Sequence, residues 1–147
     1  MMGALDDDRI DEVLREELVG RIAYVADGWP HIVPVTYVYD GTQHLFVHSA
    51  EGHKIAAMRK NPQVAFEVEQ IREMASWRTV TMRGLYEELS RDAEERAMDL
   101  LAGKFLWAPG GTPPRERHEE IHRREGIVRP VLFRIRIIER IGRFQQT

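Results

Sequence analysis

The chain has 147 residues, no cysteine and a formal net charge of −3. That length suits one compact domain with a real core, and an apolar share of 43% excludes a disordered chain. The lack of thiols excludes disulfides, thiolate catalysis and Cys-ligated metals, and the acidic balance argues against a general nucleic-acid binder.

The first residues, MMGALDDDRIDEV, lack the basic-then-apolar order of a signal peptide, and no apolar run reaches the length of a membrane span. With no cysteine, this reads as a cytoplasmic protein without a membrane partner. Asp6 to Asp8 cap a first helix with a stripe of Ile10, Val13, Leu14 and Leu18, ended by Gly20. Arg21 to Ala26 is a strand, and Asp27-Gly28-Trp29-Pro30 a turn. His31 to Tyr39 is a second strand. Pro34 inside it cannot donate to a ladder, which places it at an edge, a bulge or a point of ligand approach. Asp40-Gly41 signals a hairpin into a third strand, Gln43 to His48.

A short helix follows over Glu51 to Lys60, stopped by Asn61-Pro62, and Gln63 to Val68 is strand four. Strand five, Trp77 to Glu88, carries Gly84 as a bulge. Asp92 and Glu95 form a capping box for a helix to about Phe105, with Ala97, Leu100, Leu101 and Phe105 on its apolar face. An insert over 107–126 holds a loop, Trp107 to Pro114, and a polar helical segment, Glu116 to Glu125. Strand six, Val131 to Ile138, alternates. Six strands, with hairpins early and helices between later pairs, predict a mainly β, mostly antiparallel small barrel with peripheral helices, in one domain over 1–147. No GxGxxG or Walker loop occurs.

The richest chemistry lies in VHSAEGHKIAAMRKNPQVAFEV, Val47 to Val68. A strand ends at His48-Ser49, and His53 and Lys54 fall in the first turn of the next helix. Hydroxyl, imidazole and ammonium then meet free backbone N–H groups at a helix N-terminus, a plausible seat for a phosphate. The alternatives are a helix-capping Ser49, a satisfied strand-end His48 and one more exposed helix lysine. His118-Glu119-Glu120-Ile121-His122 fits HExxH. Its flanks are charged on all sides, without the apolar packing of a protease cleft, so it reads as a solvated helix and no metal is assigned.

VGRIAYVADGWPHIVPVTYVYDG, LFVHSAEGHK, RKNPQVAFEVE and SWRTVTMRGLYEEL, in this order, resemble the pyridoxamine 5'-phosphate oxidase-like FMN-binding split barrels, in particular the nitroimidazole-resistance (Nim-like) branch. The resemblance implies a six-stranded antiparallel split barrel working as a homodimer, with two FMN sites in the interface. It maps flavin-ring contacts to Pro34, Val35 and Thr36, and the phosphate to His48, Ser49, His53 and Lys54. Trp77, Arg78 and Thr79 also reach the flavin, although Trp77 serves equally as packing and Arg78 as a surface ion pair. The implied activity is an FMN-dependent oxidoreductase taking hydride from NAD(P)H for a small-molecule acceptor, a nitro-aromatic among the candidates. No side chain need act as nucleophile. The alternative is a binding module for flavin, haem or a deazaflavin with little turnover. Two departures stand out. Many relatives carry arginine where this chain has His53, and true pyridoxamine phosphate oxidases carry further C-terminal segments where this chain stops at Gln145-Gln146-Thr147. Vitamin B6 oxidation is therefore not the expected reaction.

Overall fold

The computed structural model describes residues 1–105 and 130–147, so the 107–126 insert, with its loop, polar helix and HExxH pattern, lies outside the described residues. In chain order the elements are β1 (Met2–Ala4), α1 (Asp7–Glu16), β2 (Val19–Ala26), β3 (Trp29–Tyr39), β4 (His44–Ala50), α2 (His53–Lys60), β5 (Gln63–Glu73), β6 (Ser76–Glu88), α3 (Arg91–Phe105) and β7 (Pro130–Gln145). The strands run in the order β1-β7-β4-β3-β2-β5-β6, all pairs antiparallel. A further β6–β7 pairing closes the six long strands into a ring. This is the expected six-stranded split barrel. The short β1, which joins Phe144 at the end of β7, was not expected. Three residues carry too little pattern to read as a strand.

The ring is unevenly closed. β2 and β3 pair from Val19↔Thr36 to Ala26↔Trp29, and β4 and β7 from His44↔Arg136 to Ala50↔Pro130. β3 and β4 pair only at Tyr37↔Val47, Val38↔Phe46 and Tyr39↔Leu45. Beyond Tyr37 and Val47 the two strands part, each held on its other side alone. That fork is the split.

Side chains alternate between barrel interior and exterior. Ile22, Tyr37, Leu45, Val47, Phe66, Val68, Val80, Phe133 and Ile135 fill the interior with no exposed surface or almost none. α1 adds Ile10, Val13 and Leu14 to this core, and α2 adds Ile55, Ala57 and Met58. α3 covers the outside, where Ala97, Met98, Leu101 and Phe105 meet Val38, Phe46 and Leu132. β6 keeps its even residues inward throughout. β7 does not: Ile137 pairs with Gly84 but Glu139 with Arg83. The extra residue at this bulge switches β7 from odd-inward Phe133, Ile135 and Ile137 to even-inward Arg140 and Gly142. Arg140 thereby reaches Asp11 of α1 at 2.7 Å and the Tyr39 hydroxyl at 3.0 Å.

Element ends differ from the sequence reading in instructive ways. Asp6 caps α1 as expected, accepting from the Arg9 N–H, but the helix ends at Glu16 and Gly20 lies inside β2. A Cβ on Gly20 would stand 2.1 Å from Phe66 Cε1, so the glycine makes room for an aromatic ring rather than ending a helix. The first hairpin turns through Asp27 (φ 53°) and Gly28 (φ 78°) alone, which brings Trp29 and Pro30 into β3. At α3 the Ala93 N–H is capped by Ser90 Oγ at 3.3 Å, so Asp92 belongs to the first turn instead of acting as the cap.

The β3–β4 turn rests on Asp40, whose Oδ1 accepts from the N–H groups of Thr42, Gln43 and His44 at 2.9, 2.9 and 3.0 Å. Burial alone would raise this carboxyl. The hydrogen bonds from His44, Thr42 and Gln43 outweigh burial and hold it below its ordinary 3.8. The stabilisation is therefore present above the ordinary value and is lost as pH falls through the depressed native one. Replacing Asp40 with Ala should cost about 1–2 kcal/mol at neutral pH, because three turn N–H groups lose their acceptor, the one of His44 half-buried and those of Thr42 and Gln43 exposed. In urea unfolding, the gap between wild type and variant should narrow once pH drops below 3.8.

Candidate cofactor site at the split

Three elements border the split: the edge of β3 before Tyr37, the end of β4 after Val47, and the start of α2, where the chain turns across through Ala50 to Gly52. On β3, the Tyr37 N–H bonds the Leu18 carbonyl on the β2 side. Backbone groups of a strand alternate sides, so those of Val35 and Val33 also face β2 and those of Pro34 and Ile32 face the open edge. Pro34 thus sits where its missing N–H removes no ladder bond, opposite Arg21. Its carbonyl and the Ile32 N–H and carbonyl line the gap. Val35 is buried with its side chain in the core, and Thr36 stands half-buried at the fork.

On the facing side, His48 and Ser49 are half-buried at the end of β4, and the Ser49 hydroxyl donates to the Ala50 carbonyl at 3.3 Å. α2 begins at Gly52, which makes no side-chain cap bond, and its first turn holds no acidic residue. The first intrahelical bond runs from the Ala56 N–H to the Gly52 carbonyl. The N–H groups of His53, Lys54 and Ile55 therefore have no acceptor within the helix. Lys54 is half-buried, and no carboxylate pairs with it among the described residues. Burial pulls its ammonium below the ordinary 10.5. A cation held out of water beside open helix N–H groups lacks one thing, an anion.

Trp77, Arg78 and Thr79 lie elsewhere. His48 pairs with Leu132 and Trp77 with Gln145, so the two groups stand at opposite ends of β7, about 40 Å apart along the strand. The Trp77 indole N–H donates to Gln145 Oε1 at 3.1 Å. Arg78 bonds Gln70 Oε1 at 2.9 Å and Glu12 at 3.0 Å, with Glu16 at 3.6 Å. This end of the molecule encloses a cavity of about 460 Å³ beneath α1. Arg78 there is already engaged by carboxylates. The uncompensated ammonium marks the split as the better anion seat.

Two residues that the sequence reading passed over belong to the split. Tyr24 of β2 and His31 of β3 are stacked at 5.1 Å and 10°, and the Tyr24 hydroxyl is 3.1 Å from His53 Nδ1. Reading Asp27-Gly28 as a two-residue turn sets Tyr24 opposite His31; the four-residue reading hid that pair.

The family model for pyridoxamine 5'-phosphate oxidase matches residues 6–144. An uncharacterised protein from Rhizobium meliloti is 36% identical over 102 residues, covering 65% of this chain and 67% of that protein. Among solved structures, a FAD-binding protein from Mesorhizobium loti is 28% identical at a TM-score of 0.75, with 100% of this chain and 98% of that chain covered. A Bacteroides thetaiotaomicron protein named for 5-nitroimidazole antibiotic resistance shares the fold at a TM-score of 0.72 and 18% identity, over 98% of this chain and 87% of that one. By this match across nearly its whole length, the chain belongs to the pyridoxamine 5'-phosphate oxidase family.

Proposed function

We propose that the split holds FMN, with its phosphate on Lys54 and the first turn of α2, and that the protein works as an FMN-dependent oxidoreductase. The observation that carries this reading is the half-buried Lys54, with no carboxylate partner among the described residues, in a first helical turn that holds no acidic residue. Lys54 and the open α2 N–H groups hold the phosphate. The backbone groups of Ile32 and Pro34 offer hydrogen bonds to the edge of a planar ring, while Thr36, His48 and Ser49 bound the pocket. When bound, FMN supplies the redox chemistry, accepting hydride from a nicotinamide nucleotide and reducing a small molecule, for which a nitro-aromatic is the first class to test. The FAD-binding relative supports a flavin nucleotide, because FMN and FAD share the ring and the ribityl phosphate.

A second copy completes the site in this proposal. Val25, Pro30, Ile32 and Pro34 are exposed on the outer face of the β2–β3 hairpin beside the open edge, Ile32 at 69%. Such an apolar patch suits burial against an identical chain. A homodimer across it brings one copy's Trp77 end toward the other copy's split, the arrangement by which Trp77, Arg78 and Thr79 join the same cofactor.

Purified protein tests this directly. Release of FMN on denaturation, identified by mass, together with bleaching of the flavin spectrum by NADH or NADPH, is the expected result. Bound flavin that no donor reduces would favour a carrier, a Soret band would favour haem, and a released deazaflavin would replace FMN. A stable monomer that keeps FMN at full affinity would contradict the shared site.

A further inference from the structure

We propose that Tyr24 is a positioning residue that fixes the tautomer of His53, so that an uncharged imidazole donates to the anionic end of the ligand. The proposal rests on the split being the phosphate seat. Tyr24 is 5% exposed, and its hydroxyl meets His53 Nδ1 at 3.1 Å as its one recorded partner among the described residues. If Nδ1 carried the proton, the phenolic hydrogen would have no acceptor. The bond is part-buried, and a hydroxyl left without an acceptor there gives up hydrogen bonding that the other tautomer keeps. The phenol therefore donates, Nδ1 accepts, and the proton of the neutral ring resides on Nε2.

His31 pins this arrangement from the other side. Its ring stacks on Tyr24 at 5.1 Å and meets the His53 ring edge-on at 5.2 Å and 63°. The groups facing the His53 ring are thus the Tyr24 hydroxyl from β2 and the His31 imidazole from β3, with Lys54 next to it on α2. Protonating both imidazoles at that separation places like charges together, which favours a site built to work with His53 neutral. An Nε2–H at the first residue of α2 adds one side-chain donor to the open backbone N–H groups, without a second full positive charge beside Lys54.

The test is a titration of FMN, and of riboflavin, which lacks the phosphate, into wild type and Tyr24→Phe at two pH values. At about pH 8 the variant should bind FMN about twofold more weakly, since a ring no longer held by the phenol spends part of its time in the wrong tautomer. At about pH 5.5 the comparison is repeated: a doubly protonated ring donates from both nitrogens and has no tautomer to fix, so the difference should vanish. Riboflavin affinity should not change at either pH. In a His53→Arg background, whose guanidinium needs no tautomer, Tyr24→Phe should have no effect. Equal loss at both pH values, or equal loss for riboflavin, would reduce Tyr24 to packing and overturn the proposal. Long-range proton–nitrogen correlation of the labelled wild type at about pH 8 gives an independent reading, with Nε2–H expected for His53. FMN binding with the proton found on Nδ1 would overturn the role of Tyr24 alone. An Nε2–H ring in a chain that binds no FMN would instead overturn the reading of the split.

Discussion

Replacing Lys54 with methionine is expected to weaken FMN binding by about 10- to 100-fold, the loss of a charge-assisted contact to a phosphate in a partly dry site. The same change should raise the melting temperature of the flavin-free protein. Burial already pulls the Lys54 ammonium below its ordinary 10.5, so the unfolded chain binds its proton more tightly than the folded one. The sign follows: this lysine costs stability at neutral pH, and the cost fades as pH rises toward 10.5. Methionine keeps the length of the stem and removes the charge. Thermal unfolding with and without excess FMN therefore separates the two effects. Without ligand the variant should be the more stable form, and with ligand the wild type should be. A variant with undiminished affinity would move the phosphate away from α2.

The second large effect is expected behind the site, where Phe66 packs over Gly20. Phe66 is 1% exposed, its ring meets Tyr37 edge-on at 5.5 Å, and a Cβ on Gly20 would collide with it. Phe66→Ala should cost about 3–5 kcal/mol, from lost burial plus the cavity it leaves. Gly20→Ala should cost about 1–3 kcal/mol by overpacking. The pair Gly20→Ala with Phe66→Leu should cost less than the sum of the two single changes, because the smaller side chain vacates the space the new methyl needs. Denaturant unfolding of the four proteins measures that coupling. Strict additivity would mean that the ring and the glycine do not constrain one another. Gly20 stands opposite Val35 on the strand that carries the open edge, so the crowded double variant should also blunt FMN affinity.

The two effects differ in origin. Phe66 and Gly20 shape the wall against which β3 is laid, and their energetics lie in packing. Lys54 carries a charge that burial disfavours, and in the proposed function a bound phosphate would offset that cost. Functional sites commonly carry such local conflicts while the core around them is consistent. The Asp11–Tyr39–Arg140 network shows the opposite case, a half-buried charge fully answered within the chain.

Much of this protein was determined by its sequence alone. The Val-, Ile-, Thr- and Tyr-rich run of β3, the alternation along β7, the Asp40-Gly41 hairpin, the Asp6 cap and the Asn61-Pro62 stop are local matters of dihedral preference and side-chain period, so six strands and the three described helices could be placed. The signal of His48-Ser49 followed by His53-Lys54 is local too, and it pointed to the residues that border the split. Tertiary structure decided the rest. The β7 bulge is a matter of register against β6, and no pattern within β7 announces that Arg140 turns inward. Gly20 looked like a helix stop because its reason for being glycine, the Phe66 ring, lies 46 residues along the chain. The separation of Trp77 from Lys54 follows from the register of a strand of 16 residues, a distance that adjacent motifs in a sequence do not convey. Tyr24 and His31 became visible only once the turn between them closed to two residues.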